Sequence, residues 1–191
     1  MYHIILASNS PRRKALLAGL DIPFEVRVLP DIAEDYPADL PISDIAEYIS
    51  MEKANAYRDN IGADDLLITA DTVVAVDNRL VLGKPADMDD ARRMLHILSG
   101  RTHQVITGVC LTGKEQQRHF SVVTDVTFKA LDDEEIDYYL SHYRPLDKAG
   151  AYGVQEWIGY IGVTALKGSY FNVMGFPVQR VYEELKKMSC L

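Results

Sequence analysis

The sequence is short of cysteine, short of basic charge and without a long apolar run, and each shortage excludes a class of protein. Its two cysteines, Cys110 and Cys190, have neither metal-binding nor redox spacing, so a reducing compartment is the simpler reading. Lysine and arginine number 20 against 28 acidic residues, a net charge of -8. Such a balance argues against non-specific nucleic-acid binding, which needs a basic face. No segment approaches the ~18 apolar residues of a membrane span, and the N-terminus enters a strand without a basic segment or cleavage-site pattern. A cytoplasmic protein with neither nucleic acid nor membrane as partner is expected. The five histidines, His3, His96, His103, His119 and His142, show no H-x-x-x-H pairing, which speaks against zinc. No G-x-S-x-G elbow occurs, which weakens a serine-hydrolase reading.

What is present describes an α/β protein. The 191 residues, 48% hydrophobic and 25% charged, can bury a full core as one domain or as two lobes around a cleft. Without repeats or a low-complexity linker, residues 1–191 are read as a single domain. Ile4–Ala7 reads as a buried strand, Phe24–Val28 as a half-wet one, and Pro30–Pro41, with Asp31, Glu34, Asp35 and Asp39, as an acidic loop. A helix is expected over Ser43–Tyr57 with Ser43 as cap and a stripe of Ile42, Ile45, Ile49 and Ala56. Leu66–Ala70 is a second buried strand, extended through Val76, and Asp77-Asn78 is a hairpin turn before Arg79–Leu82. A helix from Asp87 to Leu98 follows, ended by Gly100. Two long strands, Val105–Leu111 and Phe120–Phe128, meet near Gly113. Asp132–Leu140 is a helix with a capping box of Asp132 and Glu135. The last third reads as glycine-rich strand and loop, closed by a helix over Pro177–Lys187. Hairpins among βα units make the sheet mixed.

Candidate chemistry begins where the first strand ends. Ser8, Asn9 and Ser10 lead to Pro11, which suits the first position of a helix capped by Ser10. Arg12 and Arg13 then occupy a first turn where the macrodipole disfavours cations. They suit a bound phosphate, or they are solvated helix formers. Lys53 falls on the apolar stripe of its helix, so it snorkels, the commoner use of such a lysine, or reaches for an anion. Asp71 closes an apolar strand, where open α/β sheets bind ligands. A carboxylate there can take a proton from water or hold a hard divalent cation. Lys84 stands in a Gly83-Lys84-Pro85 break. Cations so constrained in an acidic protein suggest a small polyanion, such as a nucleoside triphosphate accompanied by a metal. Gly108–Lys114 has P-loop spacing, but Glu115 replaces the metal-binding hydroxyl and the context is strand-turn-strand, so that reading is rejected.

Six segments together resemble the Maf-type nucleotide pyrophosphatases. They are Leu6-Ala7-Ser8-Asn9-Ser10-Pro11-Arg12-Arg13, Ala70-Asp71-Thr72-Val73-Val74, Leu82-Gly83-Lys84-Pro85, Ser99–Val105 with Thr107-Gly108-Val109, Asp147–Gln155, and Gly168–Gly175. The resemblance implies an elongated mixed sheet flanked by helices, two lobes with a central cleft, similar to the inosine triphosphate pyrophosphatases. It implies hydrolysis of a nucleoside triphosphate to the monophosphate and pyrophosphate with a divalent metal, Mg2+ or Mn2+. Ala70–Val73 and Lys148–Gln155 look like the branch acting on dTTP and UTP. Carried over by position, Asp71 matches the proposed proton acceptor. Arg12, Thr72 and Gln155 match positions linked to substrate choice, and Ser8, Arg13, Lys53 and Lys84 match phosphate positions. Glu34 matches an acidic residue that, with Asp71, helps bind metal. Arg144 before Pro145 departs from the acidic residue of many members. A homodimer is a family-level expectation. So is an alternative reading as a nucleotide-binding regulator of septum formation without turnover; a third reading keeps the enzyme and directs it at modified nucleotides.

Overall fold

A computed structural model describes residues 2–30 and 32–190; Asp31 of the acidic loop lies outside them. In chain order the elements are β1 (His3–Leu6), α1 (Pro11–Ala18), β2 (Phe24–Val26), α2 (Ile42–Ala56), β3 (Asp65–Val76), β4 (Leu80–Leu82), α3 (Met88–Leu98) and β5 (Thr102–Thr112). There follow β6 (Gln117–Phe128), α4 (Asp133–Tyr143), α5 (Trp157–Gly162), β7 (Val163–Lys167), α6 (Tyr170–Val173) and α7 (Val178–Lys187). Seven strands form one sheet in the order β2-β1-β3-β5-β6-β7, with β4 on β3. β1 is parallel to β2 and β3, whereas β3/β4 and β6/β7 are antiparallel. The sheet is therefore mixed, as expected from alternating βα units and hairpins.

The chain forms two compact units. One comprises residues 1–71, 107–122 and 175–191, the other 72–106 and 123–174. In the first, β1, the first half of β3 and α7 bury Ile4, Leu6, Leu66, Ile68, Val181 and Leu185 in a common cluster. A second cluster there joins Ile5 and Leu67 to Ala54 and Tyr57 of α2 and its end. In the second unit Leu95 and Leu98 of α3 and Ile136, Tyr139 and Leu140 of α4 pack with Val74, Val126 and Phe128. Burying residues of this size contributes roughly 1.5–3 kcal/mol each, which is why apolar periodicity located these elements.

Local chemistry set most boundaries where expected. Ser10 caps α1, its Oγ accepting from the Arg13 amide at 3.4 Å. Asp132 and Glu135 form the reciprocal capping box of α4. Asp77 and Asn78 both adopt positive φ, 52° and 51°, the pairing that a two-residue turn needs to match strand twist. Other positions differ. Ser43 is not the cap of α2. The helix begins one residue earlier behind Pro41, and the Ser43 hydroxyl donates to Asp44 Oδ1 at 2.7 Å. Ala56 is exposed, and Ala54 takes its place on the buried stripe. β2 stops at Val26. α4 continues past Leu140 to Tyr143, where Arg144 ends it at φ 43°. Two short helices, α5 and α6, occupy the stretch read as strand and loop, since hydrogen bonds to Gly159 and Ser169, not periodicity, define single turns of this length.

Candidate active site

Asp71 does not end its strand. β3 runs unbroken for 12 residues, so Asp71 lies within it and has no turn to make. The chain around it is ordered by close backbone approach. A Cβ on Gly108 of β5 would lie 2.2 Å from the Glu47 nitrogen and 2.3 Å from the Ala46 carbonyl of α2. Glycine alone lets α2 settle this near the sheet. Thr69 Oγ1, two residues before Asp71, donates to the Ser50 carbonyl of α2 at 2.6 Å. These contacts fix the helix face that carries Lys53 against the strand that carries Asp71.

Lys53 accordingly does not snorkel to water. Its side chain is 13% exposed, and Nζ donates to Asp71 Oδ1 at 2.7 Å and lies 2.7 Å from Glu34 Oε1. Two carboxylates thus converge on one ammonium. Arg13 stands beside them: Nε donates to the Gly175 carbonyl and Nη1 to the Ala70 carbonyl, each at 2.8 Å. Burial lowers the Arg13 pKa below the ordinary arginine value, opposed by the Asp71 carboxylate, with Arg12 adding repulsion and Glu34 attraction. Ser8 is buried and its Oγ accepts from the Ser10 amide at 3.2 Å, shaping the turn into α1. Ser8, Arg12, Arg13, Glu34, Lys53 and Asp71 all belong to the first unit, and Asp71 is its last residue before the chain enters the second.

Thr72, Lys84 and Gln155 belong to the second unit. Thr72 is half-buried in β3 and Lys84 is exposed. The segment leading to Gln155 is tied to the Lys84 loop, because the Gly150 amide donates to the Gly83 carbonyl at 3.0 Å. Gly150 takes φ 70°, and a Cβ there would meet Val74 at 2.9 Å, so a larger residue would be both strained and crowded. Gln155 is half-buried, and its Oε1 is enclosed without a hydrogen-bond partner among the described residues. Sequence reasoning missed the groups that organise this segment. His103 Nε2 meets the Tyr152 hydroxyl at 2.7 Å, edge-on to Phe128. The Tyr139 hydroxyl accepts from the Gly153 amide at 3.0 Å and donates to Glu156 Oε2. Lys148 Nζ lies 3.2 Å from Glu156 Oε1 and donates to Asp147 Oδ1 at 2.7 Å. The available signal was a tyrosine at a core position of α4, a residue that when buried usually needs a partner.

Among the described residues no group of three or more His, Cys, Asp or Glu side chains is arranged to hold a metal. Glu34 and Asp71 nevertheless make a hard, all-oxygen pair focused on one cationic point. Magnesium and manganese suit such a pair, since magnesium commonly takes one or two protein carboxylates and completes its shell with water and phosphate oxygens. The donor set fits the expected metal.

A mixed sheet that carries Asp71, with Glu34 of a neighbouring loop, Lys53 and Arg13 gathered beside it, defines a protein equipped to handle a small polyanion. The particular family follows from comparison. A family model described as Maf-like protein matches residues 3–188, and the chain belongs to that family. It is 63% identical to a protein of Phocaeicola vulgatus over 98% of this chain and 96% of the other. It is 58% identical to one of Bacteroides thetaiotaomicron at the same coverage, and 49% identical to one of Flavobacterium psychrophilum over 94% and 91%. All three relatives are named dTTP/UTP pyrophosphatase. Among solved structures, a HAM1 protein from Coxiella burnetii superposes with a TM-score of 0.53 at 15% identity, covering 98% of this chain and 100% of that one. That likeness concerns the fold, which is of the class the motifs implied.

Proposed function

We propose that the protein is a nucleoside triphosphate pyrophosphatase that hydrolyses dTTP and UTP to the monophosphate and pyrophosphate. The observation that carries this reading is the convergence of Asp71 and Glu34 on Lys53 at 2.7 Å, beside the Arg13 guanidinium. Relatives 49–63% identical along nearly their whole length bear the name of that activity, which supports the choice of substrate. Modified pyrimidine triphosphates share the same chemistry and fall within the proposal.

The reaction asks for little covalent help and much electrostatics. Water attacks the α-phosphorus, an oxygen–phosphorus bond forms, the bridge to the β-phosphate breaks and pyrophosphate leaves. Asp71 accepts the proton of that water. Lys53, bonded to Asp71 Oδ1, aims the carboxylate. Arg12, Arg13 and Lys84 offset phosphate charge, and Ser8 shapes the turn that presents both arginines. A divalent cation, Mg2+ or Mn2+, held by Asp71 and Glu34 would neutralise phosphate charge and polarise the phosphoryl oxygens. Gln155 reads the base: its partnerless Oε1 suits the imide N–H of uracil or thymine. Thr72, next to Asp71, serves substrate choice with it.

The proposal extends to a cytoplasmic enzyme working as one functional domain over residues 1–191, with two subunits paired. Among the described residues no helix is long and apolar enough to cross a membrane. The test is pyrophosphate release with magnesium or manganese across dTTP, UTP, CTP, purine triphosphates and 7-methyl-GTP. Release from dTTP and UTP that disappears in Asp71→Ala is the expected result. Tight nucleotide binding without turnover would replace the enzyme with a nucleotide-sensing regulator.

A further inference from the structure

Two backbone carbonyls from distant parts of the first unit hold the Arg13 guanidinium. Nη1 donates to the Ala70 carbonyl of β3 and Nε to the Gly175 carbonyl, each at 2.8 Å. Ala70 immediately precedes Asp71, so the first bond sets the guanidinium beside that carboxylate. The second sets its plane, because a rigid fork bonded through two of its nitrogens cannot rotate without breaking one bond. A carbonyl orients a cation without itself carrying opposite charge, in contrast to the carboxylates on Lys53.

Both carbonyls are fixed in place. Ala70 is buried within the 12 residues of β3. Gly175 is buried and adopts φ 101°, a conformation that glycine takes readily and a residue with a Cβ does not. Directly after it, Phe176 is fully buried in the cluster that also holds Ala70 and Leu17 of α1. The Gly175 turn is thus anchored in the same core as the helix that carries Arg13. A side chain at this position would drive φ away from 101°, and the carbonyl, which rotates with φ, would leave Nε.

We propose that Gly175 is a positioning residue for phosphate binding: its carbonyl aims the Arg13 guanidinium at the phosphates of the substrate. Gly175 acts through Arg13. The proposal rests on Arg13 being a phosphate ligand of the pyrophosphatase, and the two ideas fail separately.

The experiment compares wild type, Gly175→Ala, Arg13→Lys, Arg13→Ala and the double variant Gly175→Ala/Arg13→Ala. It measures kcat and KM for dTTP, and the affinity for pyrophosphate with magnesium by calorimetric titration, with folding checked by melting midpoint. Pyrophosphate probes the phosphate contacts without the base. Gly175→Ala is expected to weaken pyrophosphate binding and raise KM for dTTP about tenfold, the scale of one misaligned hydrogen bond to a charged group. The change in kcat is expected to be smaller, as for an interaction made in both ground and transition states. A purely structural glycine would instead lower the midpoint and the active fraction, leaving KM and pyrophosphate affinity of the folded molecules unchanged. In the Arg13→Ala background the glycine substitution is expected to add no further loss, since the two residues act as one unit. Arg13→Lys keeps the charge but not the planar fork; a similar loss is expected, which carries the test should Gly175→Ala not fold. A folded Gly175→Ala or Arg13→Lys variant with wild-type KM and pyrophosphate affinity overturns the proposal. So does an equal effect of Gly175→Ala with and without the arginine. An Arg13→Ala variant that binds pyrophosphate as tightly as wild type removes the phosphate ligand itself, and the proposal with it.

Discussion

The two units hold their candidate functional side chains by opposite means. In the first, position is set by charge: Lys53 is placed by two carboxylates, and Arg13 by backbone carbonyls beside them. In the second, it is set by hydroxyl and ring groups of the core, one of them bonded to the Glu156 carboxylate. Tyr139 clamps the 153–156 turn, and His103 and Tyr152 bond each other against Phe128. Ion pairs can exchange partners when a polyanion and its counter-cation arrive, because the incoming charges replace those given up. A buried hydroxyl clamp has no such alternative, so it keeps its geometry whether or not ligand is present. The difference matches the tasks proposed for them: handling variable phosphate charge, and applying a fixed test to a base.

The strongest way to break this comparison is to remove charge from the first unit without changing shape. Asp71→Asn keeps the side-chain volume and can still accept from Lys53. It is expected to reduce kcat by roughly 10²–10⁴, the usual contribution of a positioned base, with a melting midpoint close to wild type. Full turnover in the variant would remove Asp71 as the base and reduce its pairing with Lys53 to architecture.

Legibility in the sequence followed the same division. The charged cluster could be anticipated because charge in the wrong place is conspicuous: arginines in a helix first turn, and lysine on an apolar stripe. Even so, the sequence left Lys53 divided between snorkelling and reaching inward, and Glu34 came from family likeness, since a loop acid carries no periodic signal. Asp71 ends the apolar run Leu66–Ala70, and the extension expected through Val76 belongs to the same strand. The tyrosine clamp was invisible. Tyr139 and Glu156 are separated by 17 residues and joined only by tertiary folding. The glycine-rich stretch before Gln155 has no periodicity from which its turns could be read. Helix caps and the Asp77-Asn78 hairpin were legible because their chemistry is local.

Close packing in the first unit gives a second test. Gly108→Ala places a methyl group within 2.2–2.3 Å of the α2 backbone, where no side chain can yield. The expected destabilisation lies at or above the upper end of the about 1–3 kcal/mol typical of overpacking, read by urea denaturation. Turnover should fall in the fraction that stays folded, because α2 carries Lys53. An unchanged midpoint would mean that α2 can shift, and that the Lys53–Asp71 contact does not depend on this approach.

Acid provides the corresponding test of the second unit. Burial lowers the His103 pKa from 6.5 to about 4, so the folded protein keeps this ring neutral. The unfolded chain takes up its proton as pH falls through about 6.5, while the folded state does so only near 4. Stability is therefore lost between those values and not further below them through this residue, by on the order of 3 kcal/mol. Denaturation curves at stepped pH should show that slope, and His103→Gln should flatten it while leaving a donor and an acceptor near the Tyr152 hydroxyl. A slope unchanged in the variant would assign the acid sensitivity to other groups.

The smallest expected effect concerns Arg144, at the end of α4. Arg144 ends α4 in the left-handed region, φ 43° and ψ 64°, with its amide donating to the Leu140 carbonyl at 3.2 Å, and Pro145 follows. A residue with a Cβ is disfavoured in that conformation by roughly 1–2 kcal/mol, whereas glycine adopts it without strain and is the common choice after a helix. Glycine also loses more backbone entropy on folding, which offsets part of the gain. Arg144→Gly is therefore expected to stabilise the protein by about 0.5–1 kcal/mol, seen as a small rise in melting midpoint with dTTP turnover unchanged. Since α4 carries Tyr139, which holds the 153–156 turn, a rise in midpoint accompanied by altered dTTP turnover would show that the end of this helix is coupled to that turn.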